Sequence, residues 1–142
     1  MPHYLGLDSS TQSLSALVID TDTGRIVLDE SLNFGKELPE YHSPHGFLEH
    51  EDPSVRHSNP LMWVAALDRL LSRVQRQGFD WSSVAAISGA GQQHGSVYLN
   101  TPIGGAPAWS HEHALVDQVR PLLSRGTAPI WMDSSTAAEC RE

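Results

Sequence analysis

The sequence predicts an α/β fold, a sheet with flanking helices. Three observations predict it. The first 34 residues carry three short apolar runs separated by tight turns, the pattern of an antiparallel meander. Residues 59–78 then repeat apolar side chains at helical spacing, between capping residues and a terminating glycine. Residues 84–88, almost wholly apolar, follow as a strand such as a sheet buried on both faces contains.

Each element follows from local chemistry. Residues 4–8 form an apolar run ending in an acid, the first strand. Residues 9–13 are a polar, hydroxyl-rich turn, and residues 14–20 the second strand, again ending in Asp. Residues 21–24 form a turn in which Gly24 is free to take a positive φ. Ile26, Leu28, Glu30, Leu32 and Phe34 then share one face at period two, with Glu30 the polar misfit, and make a third strand. Residues 35–57 hold several acids, Pro39, Pro44, Pro53 and four histidines without periodicity, and read as a long loop.

Asn59 or Ser58 caps the next helix, and Pro60 suits its first turn. Trp63, Leu67, Leu70, Leu71 and Val74 form its apolar stripe, read as core, and Gly78 ends it. Residues 89–95 read as a glycine-rich loop, 96–100 as a strand, and 101–107 as a loop. Residues 113–123 read as a second helix interrupted by Pro121, and residues 128–132 as a last strand. Residues 133–136 look like a helix start, with Thr136 and Glu139 at capping-box spacing. The chain stops at Glu142, barely a turn later. The expectation is therefore a fragment of a longer protein, with a frayed tail as the alternative.

Composition narrows the classes. A chain of 142 residues has room for one domain. Nine Lys and Arg against 17 Asp and Glu give a net charge of −8, which argues against a non-specific nucleic-acid binder. A mean hydropathy of −0.29 with 39% hydrophobic residues is that of an ordinary folded domain. No run approaches the roughly 18 apolar residues of a membrane span, and the N-terminus has no basic region of a signal peptide. Cys140 is the single cysteine, so no internal disulfide forms and a cytoplasmic location is expected.

Four constellations carry chemistry. In the first, the Asp8 carboxylate at a strand end suits a metal ion held through water. The turn Ser9, Ser10, Thr11, Gln12 and Ser13 offers amides and hydroxyls to phosphate oxygens. Taken alone, the same residues fit an ordinary hairpin better. The second is the loop Gly91-Gln92-Gln93-His94-Gly95, whose side chains suit hydroxyl groups beyond a strand end; a solvated loop fits equally. The third is the histidine set, His42, His45 and His50 with His111 and His113. Its spacing would allow zinc or copper, but no framework fixes a geometry, and solvated imidazoles are the plainer account. The fourth is Trp131-Met132-Asp133, where an aromatic ring stacks on a sugar and a carboxylate accepts from hydroxyls; a core Trp and a helix cap fit as well.

In chain order these segments resemble the FGGY carbohydrate kinases. The turn Asp8-Ser9-Ser10-Thr11-Gln12 resembles their first phosphate-binding turn. The stretch from Ile87 through Gln92-Gln93-His94-Gly95 to Tyr98 is similar to the sugar loop of the xylulose kinases within that family. Trp131-Met132-Asp133-Ser134-Ser135-Thr136 is similar to their next sugar-site segment, and the helix around Met62-Trp63 to theirs. The resemblance runs along almost the whole chain.

It implies a ribonuclease-H/actin-like ATPase fold, of which residues 1–142 are the incomplete N-terminal part of the first domain. The second, adenosine-binding domain is absent from the chain. It implies ATP-dependent phosphorylation of D-xylulose to D-xylulose 5-phosphate in the full-length protein, with ATP and Mg2+. Asp8 would position Mg2+ indirectly, and Ser9 to Ser13 would line the phosphate turn. Gln93, His94, Trp131 and Asp133 would bind the ketose. Ser10 stands where the family turn carries glycine. The catalytic base is expected beyond Glu142, so no catalytic residue is assigned here and the chain alone is expected to be inactive.

The alternatives are a kinase for another ketose or polyol, a non-catalytic sugar-binding or interaction module, and, last, a histidine-rich metal module. The expected partners are small molecules, neither nucleic acid nor membrane. The oligomeric state stays open, with a homodimer among the options. An incomplete sheet is expected to behave poorly in isolation, through its open edge.

Overall fold

A computed structural model describes residues 2–100 and 108–141. Its main sheet has four strands in the order β3-β2-β1-β5. β1 (His3–Ser9), β2 (Ser13–Asp20) and β3 (Arg25–Asn33) form the antiparallel meander that the turn signals predict. β5 (Val84–Gly91) runs parallel to β1, so both strands end on the same side of the sheet. A second pairing, β4 (His57–Ser58) with β6 (Ala128–Pro129), ties a late segment of the chain back to an early one.

The third strand differs in detail from its period-two pattern. Val18 pairs Leu28 while Ile19 pairs Ile26, so Val27 is an extra residue. This bulge turns Ile26 outward, leaving it 59% exposed. The strand also ends at Asn33. The Asn33 side chain accepts from the Lys36 amide at 3.0 Å and starts a short helix, α1 (Phe34–Glu37), which aims Phe34 into the core.

The segment 35–57 is no free loop. Leu38, Ser43 and Gly46 are buried in it, and the Ser58 hydroxyl donates to the Gly46 carbonyl. Gly46 has φ +85°, and a Cβ placed on it would stand 1.8 Å from the Thr11 carbonyl oxygen. Only glycine allows this segment to press so closely on the turn after β1.

α2 (Pro60–Arg76) begins as predicted, with the Asn59 side chain accepting from the Leu61 amide. It ends before Gly78 at φ +86°. Its buried line is Met62, Ala66, Leu70 and Val74, one step round from the predicted stripe, with Trp63 and Leu67 half-buried at the rim. Met62, Ala66 and Leu70 of this line pack with Leu5, Leu14, Ala16, Val18 and Leu32 of the sheet. Each large side chain so buried contributes about 1.5–3 kcal/mol.

β5 departs from the expectation of a strand buried on both faces. It is a sheet edge, and Ile87 is 66% exposed. No described element covers it. The strand also continues through Gly89–Ala90–Gly91, because pairing with Leu7, Asp8 and Ser9 carries on to the end of β1.

Residues 96–100 form no strand; they make a single bridge, Leu99 to Leu123, and their amides go to Pro129 and Leu122 carbonyls. The predicted loop 101–107 lies outside the described residues. The second helix is short: α3 (Leu115–Val119) gives way to a 3-10 turn at Arg120–Leu122, since Pro121 lacks an N–H. The last strand shrinks to two residues because Pro129 offers no donor. The chain then turns, with the Asp133 amide bonded to the Ile130 carbonyl at 2.9 Å. In place of the capped helix at 136–139 there is a 3-10 turn, Glu139–Arg141.

Candidate functional site

The parallel pairing of β1 and β5 builds the site. Their carboxyl ends lie side by side, Asp8 opposite Ala90 and Ser9 opposite Gly91, and ligands of open α/β sheets bind beyond such ends. A hollow of about 350 Å³ opens there. β1 and its turn contribute Asp8, Ser10 and Thr11. β5 and its loop contribute Gly91, Gln92, Gln93 and His94. The turn after β6 contributes Trp131.

The turn is held from three sides. The Ser10 amide donates to the Ser13 carbonyl at 2.9 Å, and the Ser10 hydroxyl lies 3.2 Å from the Ser13 hydroxyl. The Phe34 amide donates to the Gln12 carbonyl at 2.9 Å. The Trp131 indole N–H donates to Thr11 Oγ1 at 3.0 Å. Among the described residues, the Thr11 and Gln12 amides take no backbone acceptor. Two free N–H donors beside the Ser10 and Thr11 hydroxyls fit phosphate oxygens, and the exposed Asp8 carboxylate beside them fits a cation held through water.

The facing wall is polar and constrained. The Gln92 amide donates to the Ser9 carbonyl at 2.9 Å, which fixes the loop to the turn. His94 adopts φ +57°, a left-handed backbone uncommon for a residue with a side chain. Gln93 and His94 are exposed and supply donors and acceptors for hydroxyls, with Trp131 as an exposed ring beside them.

The predicted residues do not all converge. Ser9 lines the adjoining hollows on the α2 side; Gln12 is exposed and Ser13 opens β2. Asp133 is not part of the sugar-side wall. Its side chain is only 9% exposed and is fully engaged. It accepts from the Arg56 amide at 2.8 Å, the Ser135 hydroxyl at 2.7 Å and the Ser135 amide at 3.1 Å, and meets His57 Nε2 at 3.2 Å. Burial pushes its pKa up, but the Arg56 amide, Ser135 and His57 together hold it below the ordinary carboxylate value. It serves as a brace that sets the turn carrying Trp131. His42, His45, His50, His111 and His113 gather into no group of three metal-ligating side chains among the described residues.

Gln92, part of the glycine-rich loop singled out in the sequence but given no ligand role there, lines the hollow with its neighbours. One supporting residue escaped the sequence. Gly46 carries the turn from below, and no local motif marks it.

The described architecture is shared with solved sugar kinases. It superposes on the gluconate kinase of Lactobacillus acidophilus with a TM-score of 0.65 and 16% identity, covering 99% of this chain and 22% of that one. The ligand-bound xylulose kinase of the same organism gives a TM-score of 0.65 at 15% identity, with 99% and 22% covered. The described residues thus share the fold of the matching part of these carbohydrate kinases. In sequence it is 41% identical to the xylulose kinase of Rattus norvegicus over 139 residues, 97% of this chain and 26% of that protein. The chain is a homologue of the xylulose kinases, and it spans about a quarter of the length of the curated relatives it matches. No family model matches it.

Proposed function

We propose that this chain supplies the phosphate turn and the ketose-binding wall of an ATP-dependent D-xylulose kinase. The observation that carries this reading is the single hollow where Asp8, Ser10 and Thr11 face Gln93, His94 and Trp131. One wall suits phosphate and its cation; the other suits a neutral polyhydroxylated ligand. Homology to xylulose kinases supports the ketose as that ligand.

The residues divide the work. Gln93 and His94 hold the sugar hydroxyls and orient the 5-hydroxyl toward the turn. The free Thr11 and Gln12 amides and the turn hydroxyls hold phosphate oxygens, and the Asp8 carboxylate holds the cation. Mg2+-ATP, when bound, supplies the phosphoryl group and neutralises charge on it. Transfer between two such walls is chiefly positioning and charge stabilisation. No acid of this chain is assigned as the base that takes the hydroxyl proton. The cytoplasm is the proposed compartment; it supplies ATP and keeps the Cys140 thiol reduced.

The test is D-xylulose-dependent ADP release by the full-length protein, against a panel of gluconate, glycerol and other ketoses. D-xylulose leading the panel supports the reading; preference for another sugar or no turnover overturns it. The 142-residue chain alone is expected to show no turnover.

A further inference from the structure

The segment that carries Trp131 into the main hollow is held by little strand pairing. β6 and β4 pair over two residues each, His57 opposite Pro129 and Ser58 opposite Ala128, and Pro129 has no N–H to give. Packing does not hold the ring either, since Trp131 is 54% exposed. Its setting therefore depends on bonds made on either side of it.

The His57 ring makes two of them. Nδ1 lies 3.0 Å from Thr127 Oγ1, just before β6, and Nε2 lies 3.2 Å from Asp133 Oδ2, in the turn after it. The ionised Asp133 carboxylate only accepts, so Nε2 carries a proton and donates. In the neutral ring Nδ1 then accepts from the Thr127 hydroxyl. Pro129 and Trp131 lie between the two anchored residues. The Arg56 amide also holds the Asp133 end, but the ring is the group that reaches both ends. His57 lines a separate hollow of about 370 Å³ and not the one lined by Asp8, Gln93 and His94. Any effect on a ligand there passes through another residue.

We propose that His57 is a positioning residue: by bridging Thr127 and Asp133 it fixes the setting of Trp131 and, through the Trp131 bond to Thr11, the wall of the main hollow. The effect on ligand affinity rests on the sugar reading of that hollow. The setting of Trp131 is measured without ligand, so the two fail separately.

The test follows the Trp131 indole N–H resonance of the 142-residue chain, assigned with Trp131→Phe. His57→Phe keeps a ring and loses both bonds. It is expected to shift the resonance and to speed exchange of that proton with solvent about fivefold, the scale of one hydrogen bond. Thr127→Val, of like shape without the hydroxyl, is expected to move the resonance the same way by less, and serves if the Phe variant folds poorly. A purely structural role would lower the denaturant midpoint and leave the folded-state resonance where it was; that result in both variants overturns the proposal. D-xylulose affinity is expected to fall about fivefold in His57→Phe and to change little when His57→Phe is added to Trp131→Phe. An equal loss in both backgrounds overturns the route through Trp131. A shifted indole in a chain that does not bind D-xylulose supports the positioning of Trp131 and counts against the sugar reading alone.

Discussion

The indole N–H of Trp131 donates to Thr11 Oγ1 at 3.0 Å, joining residues 120 positions apart. This one bond closes the site. It ties the turn after β6 to the turn after β1, and so sets an aromatic ring over the candidate phosphate turn. Behind it, Asp133 anchors the Trp131 turn to the Arg56 amide and His57.

Trp131→Phe keeps the ring and removes the donor. Trp131 is 54% exposed, so stability is expected to change little. Affinity for D-xylulose is expected to fall about fivefold, the equivalent of about 1 kcal/mol for one hydrogen bond. Calorimetric titration of the variant beside a thermal melt separates the two effects.

Gly46→Ala tests the support beneath the turn. The added Cβ would meet the Thr11 carbonyl at 1.8 Å, and φ +85° already disfavours a side chain. Backbone blocks it, so the clash cannot relax through a rotamer. A loss of about 2 kcal/mol or more is expected in urea unfolding, well above a surface substitution. Gly24→Ala, also at positive φ but with open space around it, is expected to cost less.

Leu70→Ala removes a fully buried side chain where α2 meets the sheet. The expected cost is about 2–5 kcal/mol, read from denaturant midpoints. Leu71→Ala, on the half-buried flank, is expected to cost clearly less. Equal losses would mean the packed line is not Met62-Ala66-Leu70-Val74.

Asp133 makes stability depend on acid. Its folded pKa lies below the ordinary carboxylate value of about 3.9. Its contribution is therefore complete above that value and disappears as pH falls through the folded pKa, because the unfolded chain takes up the proton first. Asp133→Asn is expected to lower stability at neutral pH by about 1 kcal/mol, a charge-assisted bond becoming a neutral one. It is also expected to flatten the acid limb of the stability–pH curve. The limb is not abolished, since Asp20, Asp52 and Asp80 are likewise held low by their own hydrogen bonds.

Much of this was local, and so legible. The meander needs only alternating side chains and short turns, and the Asn59 cap, Pro60 and Gly78 bracket α2 within one stretch of chain. The glycine-rich loop and the turn at Asp8–Ser13 carry their chemistry in consecutive residues. Asp133 misled because a carboxylate after an aromatic reads the same whether it faces a sugar or the Arg56 amide.

By itself, then, the sequence determined where strands and helix form, and which short segments hold hydroxyl, amide and carboxylate groups, because those properties depend on neighbours within a few positions. Tertiary structure decided which of them meet. The parallel pairing of β1 with β5 brought Asp8 and His94 to one hollow, and β4 with β6 delivered Trp131 to Thr11. It also turned Asp133 away, set Gly46 beneath Thr11, and brought Trp63 and Gln92 to the lining of one hollow. These are contacts between residues some 30 to 120 positions apart, fixed by packing and strand register that no local pattern encodes.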